Sequence, residues 1–233
     1  MLEEICASRG SQENRTNFRE KYSEMKNLII IGAGGMGRTM FDLAKESIGY
    51  GSEFQIVGFI DDNLDALSGF ENYPPVLGTI KDYTPKDNDV FVCSIGGHSR
   101  KACIESLLSR GAEFIPLIHN TARIGSNVKM GCGTLVGTYT TIAADAELGD
   151  FNFIQSLTII GHDCKIGSWN RIDSQVMMVG GTSIGNNNMI HTGAMINHNV
   201  KIGDDCTIGA CSFVSMNVES GSTLFASPAR RLK

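Results

Sequence analysis

The second half of the chain follows a period of six residues. Between Ile124 and Val214, every sixth residue is a medium-sized or large aliphatic one, over sixteen successive hexapeptides without an insertion. The residue four places after each aliphatic is small or slender, and the residue directly after it is most often Gly. A period of six fits neither a helix of 3.6 residues per turn nor the two-residue alternation of an ordinary strand. It predicts short strands joined by tight turns and wound into a solenoid, a hexapeptide-repeat β-helix.

Three hexapeptides would form one coil of a triangular prism, so residues 18 apart would stack at one corner, about 4.8 Å from each other. Sixteen repeats therefore predict about five coils. The aliphatic and the slender residue fill the narrow interior, so residues that carry chemistry must lie on the outward side. Cys164 and Cys206 fall at the inward slender sites, where small buried thiols in a reducing cytoplasm fit better than disulfides.

The residues before the solenoid predict a small parallel α/β domain. The continuous apolar run at residues 28–31 is typical of a strand covered on both faces, and a glycine-rich loop follows directly. Strands and helices then alternate, which favours a parallel sheet. The further predicted elements are a helix over residues 38–47, strands over 54–60 and 90–95, a helix from Ser99 to about Arg110, and a short strand over 113–118.

The loop at residues 32–37 has the form G-x-G-x-x-G. Between a strand and a helix, this motif places backbone N–H groups where a phosphate binds, and its glycines allow close approach. Asp61 and Asp62 follow the next strand, where a ribose or base is normally held. Because the domain is short for a full dinucleotide-binding domain, a nucleotide that carries another group, such as a nucleotide sugar, is favoured over a nicotinamide cofactor.

Composition excludes several classes of function. A net charge of −5 over 233 residues provides no basic stripe, so nucleic acid is not an expected partner. No apolar run reaches the roughly 18 residues of a membrane span. The first 25 residues are polar and do not resemble a secretory signal, so we expect a cytoplasmic protein. Residues 1–24 lack periodicity and are expected to be a loose extension without a role.

Three of the five His residues lie in the solenoid, and one of them has neighbours suited to catalysis. His162 is followed by Asp163, and Gly180 stands one coil further on. A carboxylate can fix the tautomer of an imidazole and raise its basicity, and a backbone N–H can stabilise an oxyanion. These parts suit acyl transfer from a thioester. His198, two coils from His162 at the same corner, and His191, on another face, are expected to be solvated or structural.

Aromatic residues of the solenoid suggest contacts between subunits. Phe151, Phe153 and Trp169 are expected at outward or turn positions, where they could pack against a neighbouring copy.

Taken together, the GxGGxG loop, a hexapeptide helix carrying IGHDCKIG and a closing SPARRL resemble one family. It comprises the bacterial nucleotide-sugar acetyltransferases that modify amino sugars, with the related sialic-acid O-acetyltransferases, and the resemblance covers residues 26–233. It implies a small Rossmann-like α/β domain over 25–118 and a left-handed parallel β-helix over 119–233. It also implies a homotrimer with active sites between subunits, acetyl-CoA along the helix wall, no metal, and a nucleotide-linked sugar held by the first domain, in surface glycan biosynthesis.

The resemblance also implies roles for individual residues. His162 matches the general base, Asp163 the acidic residue that orients it, and Gly180 the oxyanion amide. The matching nucleotide-sugar contacts are Gly32, Gly34, Gly35, Met36, Gly37, Asp61, Asp62 and Gly96. The matching acetyl-CoA contacts are Arg171, Gly180, Gly181, Thr192 and Ala210.

Two positions depart from the family pattern. Met36 stands where the loop usually carries His, which removes a polar contact to the sugar nucleotide. Arg171 stands where a His commonly follows nine residues after the base, which alters the acetyl-CoA side and is suited to attract phosphates.

Two other functions stay open from the sequence. A γ-type carbonic anhydrase shares the helix and holds zinc on three His across a subunit interface, but zinc–nitrogen bonds near 2.1 Å need converging ligands. His162 and His198, two coils apart, converge poorly, and a nucleotide domain would have no role. A non-catalytic sugar-nucleotide-binding protein would carry the same first domain. The sequence leaves N- and O-acetylation undecided.

Overall fold

The computed structural model describes residues 25–97 and 99–226, which form two compact units that meet after Asn120 in the chain. The sequence places this boundary two residues earlier. Residues 1–24, His98 and the SPARRL segment lie outside the described residues. No helix within the described ranges is long and apolar enough to cross a bilayer.

The first unit is built on a four-stranded parallel sheet with the strand order β2-β1-β3-β4. The central strand β1 is the predicted apolar run, and its residues 28–31 are completely buried, as expected for a strand covered on both faces. The elements of the unit are β1 (Lys26–Ile31), α1 (Gly35–Lys45), β2 (Phe54–Ile60), β3 (Asp89–Cys93), α2 (Ser99–Leu108), β4 (Glu113–Phe114) and β5 (Leu117–Ile118).

Several boundaries differ from the predicted ones. Helix α1 begins at Gly35, three residues before the predicted start, so the end of the glycine motif forms its first turn. Strand β3 ends at Cys93 rather than at residue 95. The predicted strand over 113–118 is two short strands, β4 and β5, on either side of Pro116, which has no N–H to donate to a ladder.

The second unit is a parallel β-helix of two-residue strands repeated every six residues. From β6 to β21, each strand residue pairs with the one 18 positions on, as Ile154 does with Ile172, which confirms the predicted stacking. The last strand, β22, pairs with β20 at a spacing of 16. The strands are β6 (Arg123–Ile124), β7 (Lys129–Met130), β8 (Leu135–Val136), β9 (Thr141–Ile142), β10 (Glu147–Leu148), β11 (Phe153–Ile154), β12 (Ile159–Ile160), β13 (Lys165–Ile166), β14 (Arg171–Ile172), β15 (Met177–Met178), β16 (Ser183–Ile184), β17 (Met189–Ile190), β18 (Met195–Ile196), β19 (Lys201–Ile202), β20 (Thr207–Ile208), β21 (Phe213–Val214) and β22 (Thr223–Leu224).

The strands form the three faces of a prism, which differ in their outward residues. The charged face (β7, β10, β13, β16 and β19) presents Lys129, Glu147, Lys165, Ser183 and Lys201. The mixed face contains β8, β11, β14, β17, β20 and β22. The apolar face (β6, β9, β12, β15, β18 and β21) presents a stripe of exposed large apolar residues: Ile159, Met177, Met195 and Phe213.

The interior of the prism is as predicted. The aliphatic residues are buried from Met130 onward, and Ile124 in the first strand is half-buried. The slender residues are buried as far as Ser212, including Cys164 and Cys206, which are free thiols.

Inward Asn side chains bond backbone groups of the neighbouring coils in a ladder along the axis, although the buried Nδ2 of Asn188 and Oγ of Ser212 have no partner among the described residues. The Oδ1 of Asn152 accepts the backbone N–H of Asn170 at 3.0 Å, and the Oδ1 of Asn170 accepts that of Asn188 at 2.9 Å. The Nδ2 of Asn170 donates to the carbonyl of Gly185 at 2.9 Å. Buried polar groups cost free energy unless they are paired, so this ladder links the coils.

Each turn of the prism contains one residue in the left-handed region. From Asn127 to Cys211, the third residue after each inward aliphatic has a φ between 54° and 73°. Glycine supplies this conformation at Gly133, Gly181 and Gly193, whereas the other twelve turns use residues with a β-carbon. The sequence analysis did not anticipate this, because the residues at these positions range from Asn and Asp to Trp and Leu.

Phe151 lies in a turn and Phe153 at an outward strand position, as predicted, but the expectation that they offer an exposed surface to a neighbouring copy is wrong. Their exposed fractions are 4% and 7%, and the Phe151 ring stacks on Trp169 with ring centroids 4.4 Å apart. These phenylalanines are therefore not available as a surface for a neighbouring copy.

The Asn ladder predicts a stability effect. Asn170→Ala leaves the backbone N–H of Asn188 buried without its acceptor, so the free energy of unfolding should fall by about 1–3 kcal/mol in urea titrations. Asn170→Thr is the matched control, because Thr134 occupies the same kind of site and its Oγ1 accepts the N–H of Asn152 at 3.3 Å. An Ala variant as stable as the wild type would contradict a stabilising role for the ladder.

Candidate active site

His162 and Asp163 form a close pair in the turn between β12 and β13. The Nδ1 of the imidazole lies 2.6 Å from Oδ2 of Asp163, and about two thirds of each side chain is exposed. Asp163 is one of the left-handed turn residues, with a φ of 59°, and its N–H donates to the carbonyl of Ala144 at 3.1 Å. Because Nδ1 donates to the carboxylate, Nε2 is left with a lone pair that can accept a proton.

Gly180, one coil further on, is covered by the imidazole of His162. A β-carbon at residue 180 would lie 2.6 Å from both Cε1 and Nε2 of that ring, which is closer than real β-carbons approach other atoms. Glycine at this position therefore allows the ring to occupy its observed place.

His162 lies at the corner between the apolar and the charged face. The backbone N–H groups at this corner differ from those at the corner between the charged and the mixed face. There, the N–H of Asp150 donates to Oγ of Ser168 at 3.0 Å, and the N–H of Ser168 donates to Oδ1 of Asn186 at 2.8 Å. At the equivalent residues 144, 162, 180 and 198, no described residue accepts a hydrogen bond from the N–H. The Gly180 N–H thus has no hydrogen-bond acceptor among the described residues.

The adjacent thiol is unsuited to act as a nucleophile. Cys164 follows Asp163 but lies inside the prism, completely buried, and burial raises the pKa of its thiol. In the first unit, burial raises the pKa of Cys93 to about 11. Both thiols stay protonated near neutral pH, so neither supplies the thiolate that acyl transfer through cysteine requires.

The other two His residues of the β-helix differ from each other. His198 makes no hydrogen bond or ion pair with any described residue. His191, which the sequence predicted to be solvated or structural, has its Nδ1 3.0 Å from Oδ2 of the buried Asp173, and Nε of Arg171 lies 2.7 Å from Oδ1 of the same carboxylate. The sequence analysis missed Asp173, although its position 18 residues before His191 could have indicated the pair.

The residues predicted to contact acetyl-CoA lie at two corners and on one face of the prism. Gly180 and Gly181 share the corner of His162, between the apolar and the charged face. Arg171 lies on the mixed face, and the exposed Thr192 and Ala210 lie in turns between the mixed and the apolar face. Their roles remain predictions.

The predicted phosphate loop has an open side in the first unit. Gly32 has a φ of 93°, and a β-carbon at Gly37 would collide with the carbonyl of Gly32, so both glycines are required by the backbone. Gly34, Gly35 and Met36 are exposed, and a β-carbon at Gly34 would meet no atom within 4 Å. Space for a ligand therefore lies beside Gly34, at the start of α1.

The two predicted carboxylates make different contacts. Asp61 accepts the N–H of Ala33 at 2.7 Å through Oδ2 and that of Asn63 at 2.8 Å through Oδ1, so it fixes the glycine loop. Asp62 is exposed and accepts the N–H of Ile80 at 3.0 Å through Oδ1, which leaves Oδ2 for a ligand. Gly96, after β3, is also exposed.

Two family models match the chain. Residues 27–108 match the PglD N-terminal domain, and residues 181–215 match the bacterial transferase hexapeptide (six repeats). These matches fall in the two compact units, one in each.

Solved structures and curated proteins agree with these matches. The acetyltransferase domain of PglB from Neisseria gonorrhoeae is 27% identical with a TM-score of 0.77, over 89% of this chain and 100% of that one. PerB from Caulobacter crescentus, at 22% identity and a TM-score of 0.76 over 89% of this chain and 97% of its own, shares the fold. UDP-N-acetylbacillosamine N-acetyltransferase of Bacillus subtilis is 27% identical over 117 residues, 48% of this chain and 51% of that protein.

The chain spans about half or less of the length of the curated relatives that it matches. The resemblance to nucleotide-sugar acetyltransferases is confirmed. The predicted fold class, a small α/β domain followed by a left-handed parallel β-helix, is also confirmed.

Proposed function

We propose that this chain transfers an acetyl group from acetyl-CoA to an amino group or hydroxyl of a nucleotide-linked sugar, in surface glycan biosynthesis in the cytoplasm. The observation that carries the proposal is the imidazole of His162, held at Nδ1 by Asp163 and lying over Gly180. The acetyltransferase domain of PglB, 27% identical to this chain, has been solved in complex with acetyl coenzyme A. The matching curated relative is named as an acetyltransferase of a UDP-linked sugar.

The chemistry follows from the positions of three groups. Nε2 of His162 accepts the proton of the acceptor as its nitrogen or oxygen attacks the thioester carbonyl. The Gly180 N–H donates to the carbonyl oxygen while it carries negative charge. When the carbon–sulfur bond breaks, the imidazolium returns the proton to the leaving thiolate, and Asp163 holds the ring in one tautomer throughout. Direct transfer fits the buried, protonated state of Cys164.

The acceptor is proposed to bind in the first unit. The loop at residues 32–37 offers backbone N–H groups at the start of an eleven-residue helix, which favour a phosphate group. Oδ2 of Asp62 and the backbone at Gly96 would contact the nucleoside. Met36, an exposed residue of this loop, places a thioether where the family usually has an imidazole.

A homotrimer is proposed to form through the apolar face. The exposed stripe from Ile159 to Phe213 is of the kind that marks interaction surfaces, whereas the charged face carries Lys129 and Glu147, whose Nζ and Oε1 lie 3.3 Å apart. The apolar face also lies between the two corners that hold the predicted acetyl-CoA contacts. A second copy packed on it would bring the His162 corner of one copy beside the Arg171 side of the next, so that both could contact one coenzyme.

The first functional test concerns the base. General-base catalysis contributes about 10²- to 10⁴-fold, so His162→Ala should lower kcat by that order, with a modest change in either KM, in a thiol-release assay with acetyl-CoA and a panel of nucleotide-linked amino sugars. Asp163→Asn should lose less, because the base remains.

His198→Ala is the matched control for this test, because His198 lies at the same corner two coils away and should retain much more activity. Near-normal turnover of His162→Ala, on assembled protein, would contradict the assignment. Activity that a chelator abolishes and zinc restores would favour the carbonic-anhydrase alternative. Binding without turnover in the wild type would favour a non-catalytic protein.

The second test concerns the loop in the first unit. Gly34→Val places a branched side chain in the open space beside the loop, so calorimetry should show weaker binding of the sugar nucleotide and nearly unchanged affinity for acetyl-CoA. Gly97→Asn is the control, because Gly97 has a φ of 72°, which Asn tolerates, and open space around it. Tight NADH binding with no response to sugar nucleotides would instead indicate an oxidoreductase.

The third test concerns assembly. Two carboxylates in an interface cost far more than two on the surface, so Met177→Glu combined with Met195→Glu should convert the trimer to monomers in sedimentation velocity. Lys165→Glu combined with Lys201→Glu changes the charged face and should leave the trimer intact. A wild-type monomer at micromolar concentration would remove the shared active site from the proposal.

A further inference from the structure

A polar cluster on the outer surface of the β-helix surrounds Asp173. The Asp173 side chain is only 9% exposed, and its carboxylate accepts three side-chain hydrogen bonds. Oδ1 accepts Nε of Arg171 at 2.7 Å and Nε2 of Gln155 at 2.9 Å, and Oδ2 accepts Nδ1 of His191 at 3.0 Å. A buried carboxylate with three donors is held in one place, and it holds its partners in turn.

The cluster leaves its outward hydrogen-bonding groups unused. Arg171 uses only Nε toward Asp173, and no described residue accepts a hydrogen bond from its two terminal nitrogens. His191 uses Nδ1, so its Nε2 is left, with one third of the side chain exposed. Arginine donors in a fixed fork match the oxygens of a phosphate, and a fixed neighbouring imidazole can add a further hydrogen bond.

A purely structural ladder would look different. At the corner between the charged and the mixed face, a polar side chain of one coil accepts the backbone N–H of the preceding coil, as Asp204 does for Asn186. These bonds tie coil to coil. Among the described residues, the carboxylate of Asp173 accepts no backbone N–H and bonds side chains alone, two of which are cationic or able to become so. Its bonds orient surface groups rather than close a turn.

We propose that Arg171 and His191, both held by Asp173, form a binding site for a phosphate group. Asp173 acts as a positioning residue. Gln155 donates the third side-chain hydrogen bond to its carboxylate, and Oε1 of Gln155 in turn lies 3.2 Å from Oγ of Ser174. We assign the bound phosphate to the coenzyme of the acetyl transfer, and this assignment of its source rests on the proposed function. It extends the predicted contact at Arg171 to two residues that sequence analysis did not connect with a ligand.

The test compares ligands with and without phosphate. Calorimetry on the full-length protein uses coenzyme A, pantetheine, UDP and inorganic pyrophosphate. Arg171→Gln should weaken coenzyme A about tenfold or more, as expected for hydrogen bonds to charged groups, and His191→Asn should weaken it less. Asp173→Asn should weaken it because both partners lose their orientation. Pantetheine affinity should stay within about twofold in every variant.

Control variants separate binding from folding. Asp204→Asn changes a carboxylate that accepts a backbone N–H at the corner between the charged and the mixed face. It should leave the affinity for coenzyme A unchanged even if the protein unfolds at a lower urea concentration. Arg171 is more than one third exposed on its side chain, so Arg171→Gln keeps the proposal testable if Asp173→Asn fails to fold.

The outcomes distinguish this site from the proposed function. Loss of UDP affinity in place of coenzyme A affinity would support a phosphate site and assign it to the sugar nucleotide. If the wild type neither binds coenzyme A nor releases thiol, the proposed function fails, while loss of pyrophosphate binding in the variants would still support the site. Variants that bind coenzyme A, UDP and pyrophosphate like the wild type, with lower stability alone, would overturn the proposal.

Discussion

Hydrogen bonding between successive coils is the constraint on which the second unit depends. The N–H of each left-handed turn residue from Asp145 onward donates to a carbonyl in the preceding coil, as Asp163 does to Ala144, and the strands on either side are paired in the same register. A residue with a β-carbon costs roughly 1–2 kcal/mol in the left-handed conformation. Twelve such turns persist because bonds on both sides fix the backbone. The position of Asp163 beside the imidazole of His162 follows from one of them.

The same stacking explains why the residues that act together are neighbours along the axis of the prism rather than along the chain. Gly180 leaves room for the ring of His162, and Asp173 binds the ring of His191. The two residues of each pair are 18 positions apart and therefore lie in adjacent coils. A substitution in one coil thus acts on the chemistry of the next. Two of the corners differ in this respect: side chains accept the backbone N–H groups at the corner between the charged and the mixed face, and no described residue accepts them at the corner of His162.

The periodicity predicted what faces inward, because the interior of a narrow prism admits few side chains. The pairing of His162 with Asp163 was predicted from their adjacency in the chain. The periodicity did not predict what covers the outward side. Phe153 is outward by register yet buried, and such burial depends on residues that the period does not describe. The early start of α1 was also not predicted, because Gly35 and Gly37 are poor helix formers. The N–H of Arg38 nevertheless donates to the carbonyl of Gly34, so the helix begins before Arg38. Tertiary packing here overrides the low helix propensity of glycine.

The two departures from the family pattern fall in different compact units, which separates their effects. Met36 belongs to the glycine loop of the first unit, where the acceptor is proposed to bind, and Arg171 belongs to the Asp173 cluster of the second. Within the second unit, Arg171 bonds Asp173, and no hydrogen bond joins it to His162 or Asp163. Sequence changes of this kind can alter which sugar and which coenzyme contacts are used while the proton-transfer step keeps its geometry.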